Sequence, residues 1–329
     1  MSAHGRLALL PFFKSKKGRD ALTAVTFAED GIALARIRRA GAGPAQLLTC
    51  EFHPHEGEAA TGLREALSET GTANARCTTL MGGRDYQLLL VEAPDVEPSE
   101  LRAAIRWRIK DLIDFHIDDA VIDVIEIPGQ DRGRSRMMYA VVARASRIRA
   151  RIDEIEDAGL ELTAIDVGEL ALRNLTALLP EDERGSCLLW FGPDYGSIQI
   201  TRGGELFLAR RIDVGAAQLL AAAQHGDPDV GDYGEPLAAL LEQVTLEIQR
   251  SLDYYDSHFS QPPVQAVFIA PTAPELAFLN AYLGTNINIE VRTLELDRLF
   301  PDAVLPDPVT QARCLTAIGA ALRHEELVL

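Results

Sequence analysis

The stretch YQLLLVEAPDVEPSELRAAIRWRIKDLI, residues 86–113, decides how this chain is read. Tyr86 to Val91 is an apolar run with the length of a buried strand. Pro94 to Pro98 is rich in helix breakers, and Ser99 with Glu100 supplies a helix start. Leu101, Ile105, Ile109 and Leu112 then recur at helical spacing, which predicts one apolar stripe. Beyond it, Val121 to Ile127 reads as a strand, Pro128-Gly129-Gln130-Asp131 as a turn, and Met137 to Val142 as the returning strand. Ser146 is expected to cap a second helix that carries Ile148, Ile152 and Ile155 and stops at Gly159. Leu160 to Val167 follows as a strand. The order strand, helix, strand, strand, helix, strand describes a small α+β module inserted into a larger domain.

Upstream of the module, Leu22 to Arg38 alternates around Glu29-Asp30-Gly31 and predicts a hairpin. Gly41 to Pro44 reads as a turn, Leu47 to Phe52 as a third strand and Leu63 to Leu67 as a short helix. Cys77 to Met81 is a buried strand ended by Gly82-Gly83. Downstream, Cys187 to Phe191 is again a buried strand. Ser197 to Thr201 and Leu206 to Ile212 alternate across the hairpin turn Arg202-Gly203-Gly204. Val214 to Ala223 reads as a helix. Leu237, Leu241, Val244, Ile248, Leu252 and Tyr255 mark a long amphipathic one. Val264 to Ile269 is a strand, Pro274 to Leu283 a helix, Ile287 to Val291 a strand and Gln311 to Arg323 a closing helix.

A chain of 329 residues fits two domains at roughly 150 residues each. The net charge of −17 argues against nucleic acid, because phosphate binding needs clustered Lys and Arg. Two local basic runs, Arg102-Arg106-Arg108-Lys110 and Arg132-Arg134-Arg136, read as solvated faces. Cys50, Cys77, Cys187 and Cys314 are far apart and lack a C-x-x-C pair, so they read as small buried hydrophobes of a reduced protein. No run approaches the ~20 apolar residues that span a bilayer. Leu7 to Phe13 precedes Lys14, Lys16, Lys17 and Arg19, the reverse of a secretory signal's order. Two readings of this leader stay open: a flexible extension, or a reversible contact with an anionic inner leaflet.

Catalytic signatures are missing. There is no G-x-x-x-x-G-K-[ST] loop, no G-x-S-x-G elbow and no H-E-x-x-H. His53-Pro54-His55 reads as an exposed loop rather than a metal pair. Asp227, Asp229, Asp232 and Glu235 lack the alternation of a calcium loop and read as a solvated segment. Nothing nominates an acid–base pair.

The ordering of these segments resembles the PilM family of type IV pilus assembly proteins, with its relative MshI of mannose-sensitive haemagglutinin (MSHA) pilus biogenesis as the nearer match. The resemblance is carried by Val91-Glu92-Ala93-Pro94, by Glu100-Leu101-Arg102-Ala103-Ala104-Ile105-Arg106-Trp107 and by Asp111-Leu112-Ile113 with Asp123-Val124-Ile125. It continues through Ala158-Gly159-Leu160, Ala164-Ile165-Asp166-Val167, Ala171-Leu172-Arg173 and the run Leu246 to Tyr255. Ala317-Ile318-Gly319-Ala320-Ala321-Leu322-Arg323 closes it, so nearly the whole chain is covered.

The resemblance implies an actin-like (FtsA/PilM-type) two-domain α/β ATPase fold with the inserted module. The implied division is 1–84 for the first subdomain with its basic leader, 85–167 for the module and 168–329 for the second domain, whose last helix packs back on the first. It also implies ATP with magnesium between two hairpin turns that offer backbone N–H groups to phosphate. Here those loops are degenerate. The first would be Thr26-Phe27-Ala28-Glu29-Asp30-Gly31, with Thr26 at an Asp position and Ala28 at a Gly position. The second would be Trp190-Phe191-Gly192-Pro193-Asp194-Tyr195-Gly196-Ser197, with Trp190 at an Asp position. Asp30, Gly31, Gly192, Asp194, Gly196 and Ser197 remain as candidate nucleotide contacts, and the adenosine turn Ile269-Ala270-Pro271-Thr272 has no Gly-Gly.

The expected role is therefore a non-catalytic cytoplasmic scaffold, peripheral to the inner membrane. It would grip the N-terminal cytoplasmic tail of a PilN-like single-pass membrane protein through Leu88, Leu90, Ile105 and Ile109, residues that serve equally well as core. The alternatives are an actin-like ATPase whose nucleotide switches partner affinity and a self-associating, polymer-forming protein.

Overall fold

The computed structural model describes residues 21–39, 43–72, 74–97, 99–130 and 136–324. The basic leader, the turn residues 40–42, and Arg132 with Arg134 lie outside the described residues. In chain order, β1 (Ala21–Ala28), β2 (Gly31–Arg39), β3 (Ala45–Pro54), α1 (Ala59–Thr70) and β4 (Arg76–Leu80) open the first half. Then come β5 (Tyr86–Glu92), α2 (Leu101–Ile109), β6 (Ala120–Glu126), β7 (Met137–Arg144), α3 (Ala145–Asp157), β8 (Glu161–Asp166) and α4 (Gly168–Thr176). The second half holds β9 (Ser186–Phe191), β10 (Gly196–Arg202), β11 (Glu205–Ile212), α5 (Ala216–Ala223) and α6 (Gly234–His258). It closes with β12 (Ala266–Ile269), α7 (Phe278–Asn286), β13 (Glu290–Thr293), α8 (Leu296–Leu299) and α9 (Pro308–Ala321).

Two five-stranded sheets repeat one plan. The first runs β3-β2-β1-β4-β8 and the second β11-β10-β9-β12-β13. In each, three strands are joined antiparallel by hairpins, and two more add in parallel to the hairpin's first strand. Alternation along the strands sorts their faces. Ala24, Ala33 and Ala35 point to one core, while Val25, Ile32 and Leu34 point to another with Leu63, Leu67 and Ile155 of α1 and α3. The small side chains matter, because they let α9 lie close on the first sheet. α9 and α4 cross between the sheets and share a core with Leu188 and Phe268 of the second. On the second sheet's far face, Leu189, Ile198 and Ile200 meet Leu241, Val244, Ile248 and Tyr255 of α6.

The segment read as one module over 85–167 divides after β7. β5, β7 and β6 form their own three-stranded antiparallel sheet, but α3 packs beside α1 and β8 pairs with β4. Ile155 and Leu160 match the apolar face made by Val25 and Leu34, which draws α3 and β8 into the first half. Ser146 is not the cap: Arg144 holds that position and gives no side-chain bond, so Ser146 lies inside the first turn of α3. The strand expected at Ile287 begins only at Glu290, because Ile287 is buried at the end of α7.

A second expectation also changes. The stripe Ile105 and Ile109 faces the module's own sheet, where both side chains are fully buried with Val91, Met138, Ala140 and Val142. Neither can line a groove for a partner. Leu88 is partly buried against the second half's core, and of the four candidates only Leu90 is exposed, at 41%. The four cysteines are free and buried, and burial pushes the thiols of Cys77 and Cys187 up to about 12. No helix among the described residues is long and apolar enough to cross a membrane.

Candidate functional site

In sheets of this kind, ligands are bound beyond the carboxyl ends of the parallel strands, where loops from neighbouring strands converge. Here the first half contributes the β1–β2 turn, Glu29-Asp30, and the loop Met81 to Asp85 after β4. The second contributes the β9–β10 turn, Gly192 to Tyr195, and Ala270 to Ala273 after β12. Side chains tie these loops across the cleft. Arg84 donates to Asp194 Oδ2 at 2.6 Å and stands 3.9 Å from Glu29 Oε1. Asp30 accepts from Arg313 of α9 at 2.7 Å, and that guanidinium lies over the Phe52 ring.

The glycines named from the sequence divide by position. Gly192 is in the turn, where its N–H donates to the Tyr195 carbonyl at 2.8 Å. The carbonyls of Gly192 and Pro193 in turn accept from Ala216 and Ala217, at 2.8 and 3.1 Å, and so occupy the first N–H groups of α5. Trp190 covers this turn: a side chain on Gly192 would meet its ring at 2.6 Å. Gly196 and Ser197 are not in the turn but paired inside β10, and both are buried. The Ser197 hydroxyl has no hydrogen-bond partner among the described residues. Gly31 serves a close approach of strands, since a Cβ there would meet the His53 carbonyl and the Phe52 ring at 2.5 Å.

These residues do not fit a nucleotide's phosphates and magnesium. Such a site needs free backbone N–H groups and a carboxylate open to metal. Here the Gly192 N–H and the first N–H groups of α5 are spent internally, and each carboxylate, Asp30 and Asp194, holds an arginine. Among the described residues no group of three His, Cys, Asp or Glu is placed to hold a metal. At the other end of the cleft, past β12, lies a cavity of about 380 Å³. Its floor is Ile269, Leu276, Leu279 and Leu294, and its rim carries Thr272, Asn280, Glu295, Asp297 and Gln311. The sequence pointed to its first wall, Ile269 to Thr272. The next wall, Ala273 to Asn280, follows directly in the chain, while Thr293 to Asp297 and the α9 residues Pro308 and Gln311 come from too far along it to be seen.

Below the cleft, the Tyr86 hydroxyl donates to Glu169 Oε2 at 2.6 Å, joining the start of β5 to the start of α4. Burial pushes the Glu169 carboxyl above its ordinary 4.5, and the Tyr86 bond opposes that rise. The folded chain thus holds the proton more tightly than the unfolded one. The stability this contributes is present below 4.5 and is lost as pH rises through the raised value. Glu169→Gln should remove this dependence, so urea midpoints of wild type and variant diverge progressively above pH 4.5. Parallel midpoints across that range would show that Glu169 does not titrate in this way.

No protein-family model matches the chain, and no curated protein does. Among solved structures, it is similar to the PilM–PilN type IV pilus biogenesis complex, with TM-score 0.72 and 17% identity over 93% of this chain and 98% of that one. A Bacteroides thetaiotaomicron protein described as having an actin-like ATPase fold and unknown function matches with TM-score 0.49 and 9% identity, over 84% of this chain and 91% of that one. The cytoplasmic domain of EpsL, an inner-membrane component of the Vibrio cholerae type II secretion system, matches with TM-score 0.46 and 12% identity, over 81% and 96%. The chain has the actin-like ATPase fold, built as two α/β halves with the small module between β4 and α3.

Proposed function

We propose that this chain is a non-catalytic scaffold of type IV pilus assembly, of the MSHA kind, working at the cytoplasmic face of the inner membrane. Its task is to bind the cytoplasmic tail of a single-pass membrane partner. The observation that carries the reading is the cleft: an actin-like fold is kept along its whole length, while the turns facing each other are closed by Arg84 and Arg313. A fold kept without its chemistry is kept for its surfaces.

An extended tail adds most readily to an unpaired strand edge, where main-chain bonds hold it and side-chain pockets select it. β5 and β6 form the outer edges of the module's sheet. Leu90 on β5 and Val121 on β6 are 41% and 44% exposed, which gives those edges apolar purchase. These two residues replace Ile105 and Ile109 as the contacts to test. Calorimetry with a peptide of the N-terminal cytoplasmic tail of a PilN-like single-pass protein should show binding near micromolar, weakened about tenfold or more by Leu90→Asp. Absence of any binding would sink the reading.

The alternative, an ATPase whose nucleotide switches partner affinity, is favoured by the cavity past β12. It requires nucleotide to interact differently with two states. Titration of a fluorescent ATP analogue with magnesium separates the two, since saturable micromolar binding would displace the non-catalytic reading.

A further inference from the structure

We infer that the loop Gly82 to Asp85 is a built-in strap, in which Arg84 sets the relation of the two halves without a ligand. The loop is preformed. The Asp85 N–H donates to the Gly82 carbonyl at 2.8 Å, and Asp85 is held by Arg147 of α3 at 3.4 Å. On one side, Met81 donates to the Asp166 carbonyl at 2.9 Å; on the other, Tyr86 is bonded to Glu169. The strap is therefore anchored in the first half and presents a cation to the second.

Two independent contacts close it. The first is electrostatic. Glu29 and Asp194 belong to opposite halves, and the same guanidinium serves both, at 3.9 and 2.6 Å. Without it, carboxylates of the two turns would face each other in a chain of net charge −17. The second contact is steric. Gly83 lies so close to Tyr195 that a Cβ would stand 2.2 Å from the phenolic oxygen. Tyr195 has little freedom to withdraw, with Arg211 over its ring at 3.9 Å and the Trp190 ring edge-on at 5.5 Å. Arg211 also donates to the Gly83 carbonyl at 3.3 Å, which binds strap, ring and β11 together.

The magnitudes separate the contacts. An exposed ion pair shifts an opening equilibrium by about fivefold at most. Arg84→Ala should therefore speed amide exchange in residues 192–197 by roughly that factor. Gly83→Val, which wedges the halves apart, should quicken exchange further and raise the radius of gyration in solution scattering. Arg84→Glu should behave as Arg84→Ala or worse, and combining it with Asp194→Arg should recover much of the wild-type exchange. The strap is refuted if Arg84→Ala leaves exchange unchanged. It is equally refuted if Gly83→Val quickens exchange at constant radius, which is fraying of the turn alone, or if the charge-reversed pair recovers nothing.

Discussion

A Gly319→Ala chain is expected to lose about 3 kcal/mol or more of stability, despite the better helix propensity of alanine. Gly319 lies in α9 where it crosses α4, and a Cβ there would stand 2.1 Å from the carbonyl oxygen of Ala171 and 2.6 Å from its carbonyl carbon. Both are backbone atoms inside a helix, so no rotamer relieves the clash. The helices must separate, and they form the layer between the two sheets. The crossing is also bonded, since the Asn174 amide donates to the Gly319 carbonyl at 3.0 Å. Alanine's propensity gain, ~1 kcal/mol, works against the clash and is the smaller term. Gly284 supplies the control. It sits in α7 with open space around it, so Gly284→Ala should stabilise by about 0.5–1 kcal/mol. Urea midpoints of the two variants should move in opposite directions. Similar midpoints would mean that α4 and α9 are not packed this tightly.

The same crossing marks what could be read from the sequence. Ala317 to Arg323 was visible as a small-residue helix and as a point of family resemblance, but its partner α4 carried only three residues of signal, Ala171-Leu172-Arg173. The hairpins at Glu29-Asp30 and Gly203-Gly204 were legible because turn chemistry is local. Sheet membership was not. α3 and β8 had the right types, yet nothing in their own residues says that Leu160 meets Val25 rather than the module. The stripe at Ile105 and Ile109 shows the same limit: periodicity marks an apolar face but not what covers it. Arg84 was the largest omission. Between Gly82, Gly83 and Asp85 it reads as a turn residue, and the carboxylate it meets is 110 positions away. The degenerate loops showed only that expected residues were replaced. The geometry adds what surrounds the residues that stayed, since Asp30 and Asp194, kept as candidate nucleotide contacts, each hold an arginine.

Removal of one buried carboxylate should cost the second half more than any single surface change. Asp182, 2% exposed, sits in the single turn Pro180–Arg184 just before β9. Its Oδ1 accepts from the hydroxyls of Ser186 at 2.8 Å and Thr201 at 2.5 Å, and its Oδ2 from the Gly204 N–H at 2.7 Å. Its carbonyl accepts from Gly203 at 2.8 Å and Gly185 at 3.0 Å. One residue thus pins the β10–β11 turn, where Gly203 and Gly204 have positive φ, to the start of β9. Asp182→Ala leaves two hydroxyls and an N–H without their acceptor, at about 1–3 kcal/mol for each group that water cannot reach. We expect a total loss of about 3–5 kcal/mol, less than the simple sum because Ser186 and Thr201 can still bond each other at 3.1 Å and the Thr201 hydroxyl can donate to Thr176 Oγ1 at 2.9 Å. Asp182→Asn should lose less, since one carbonyl oxygen remains to accept, but its NH₂ must face either the hydroxyls or the Gly204 N–H. Hydrogen exchange at residues 201–205 should quicken in both variants before the rest of the second sheet responds. An Asp182→Ala chain within about 1 kcal/mol of wild type would mean that water already satisfies these groups and that the turn is held by its own hairpin bonds.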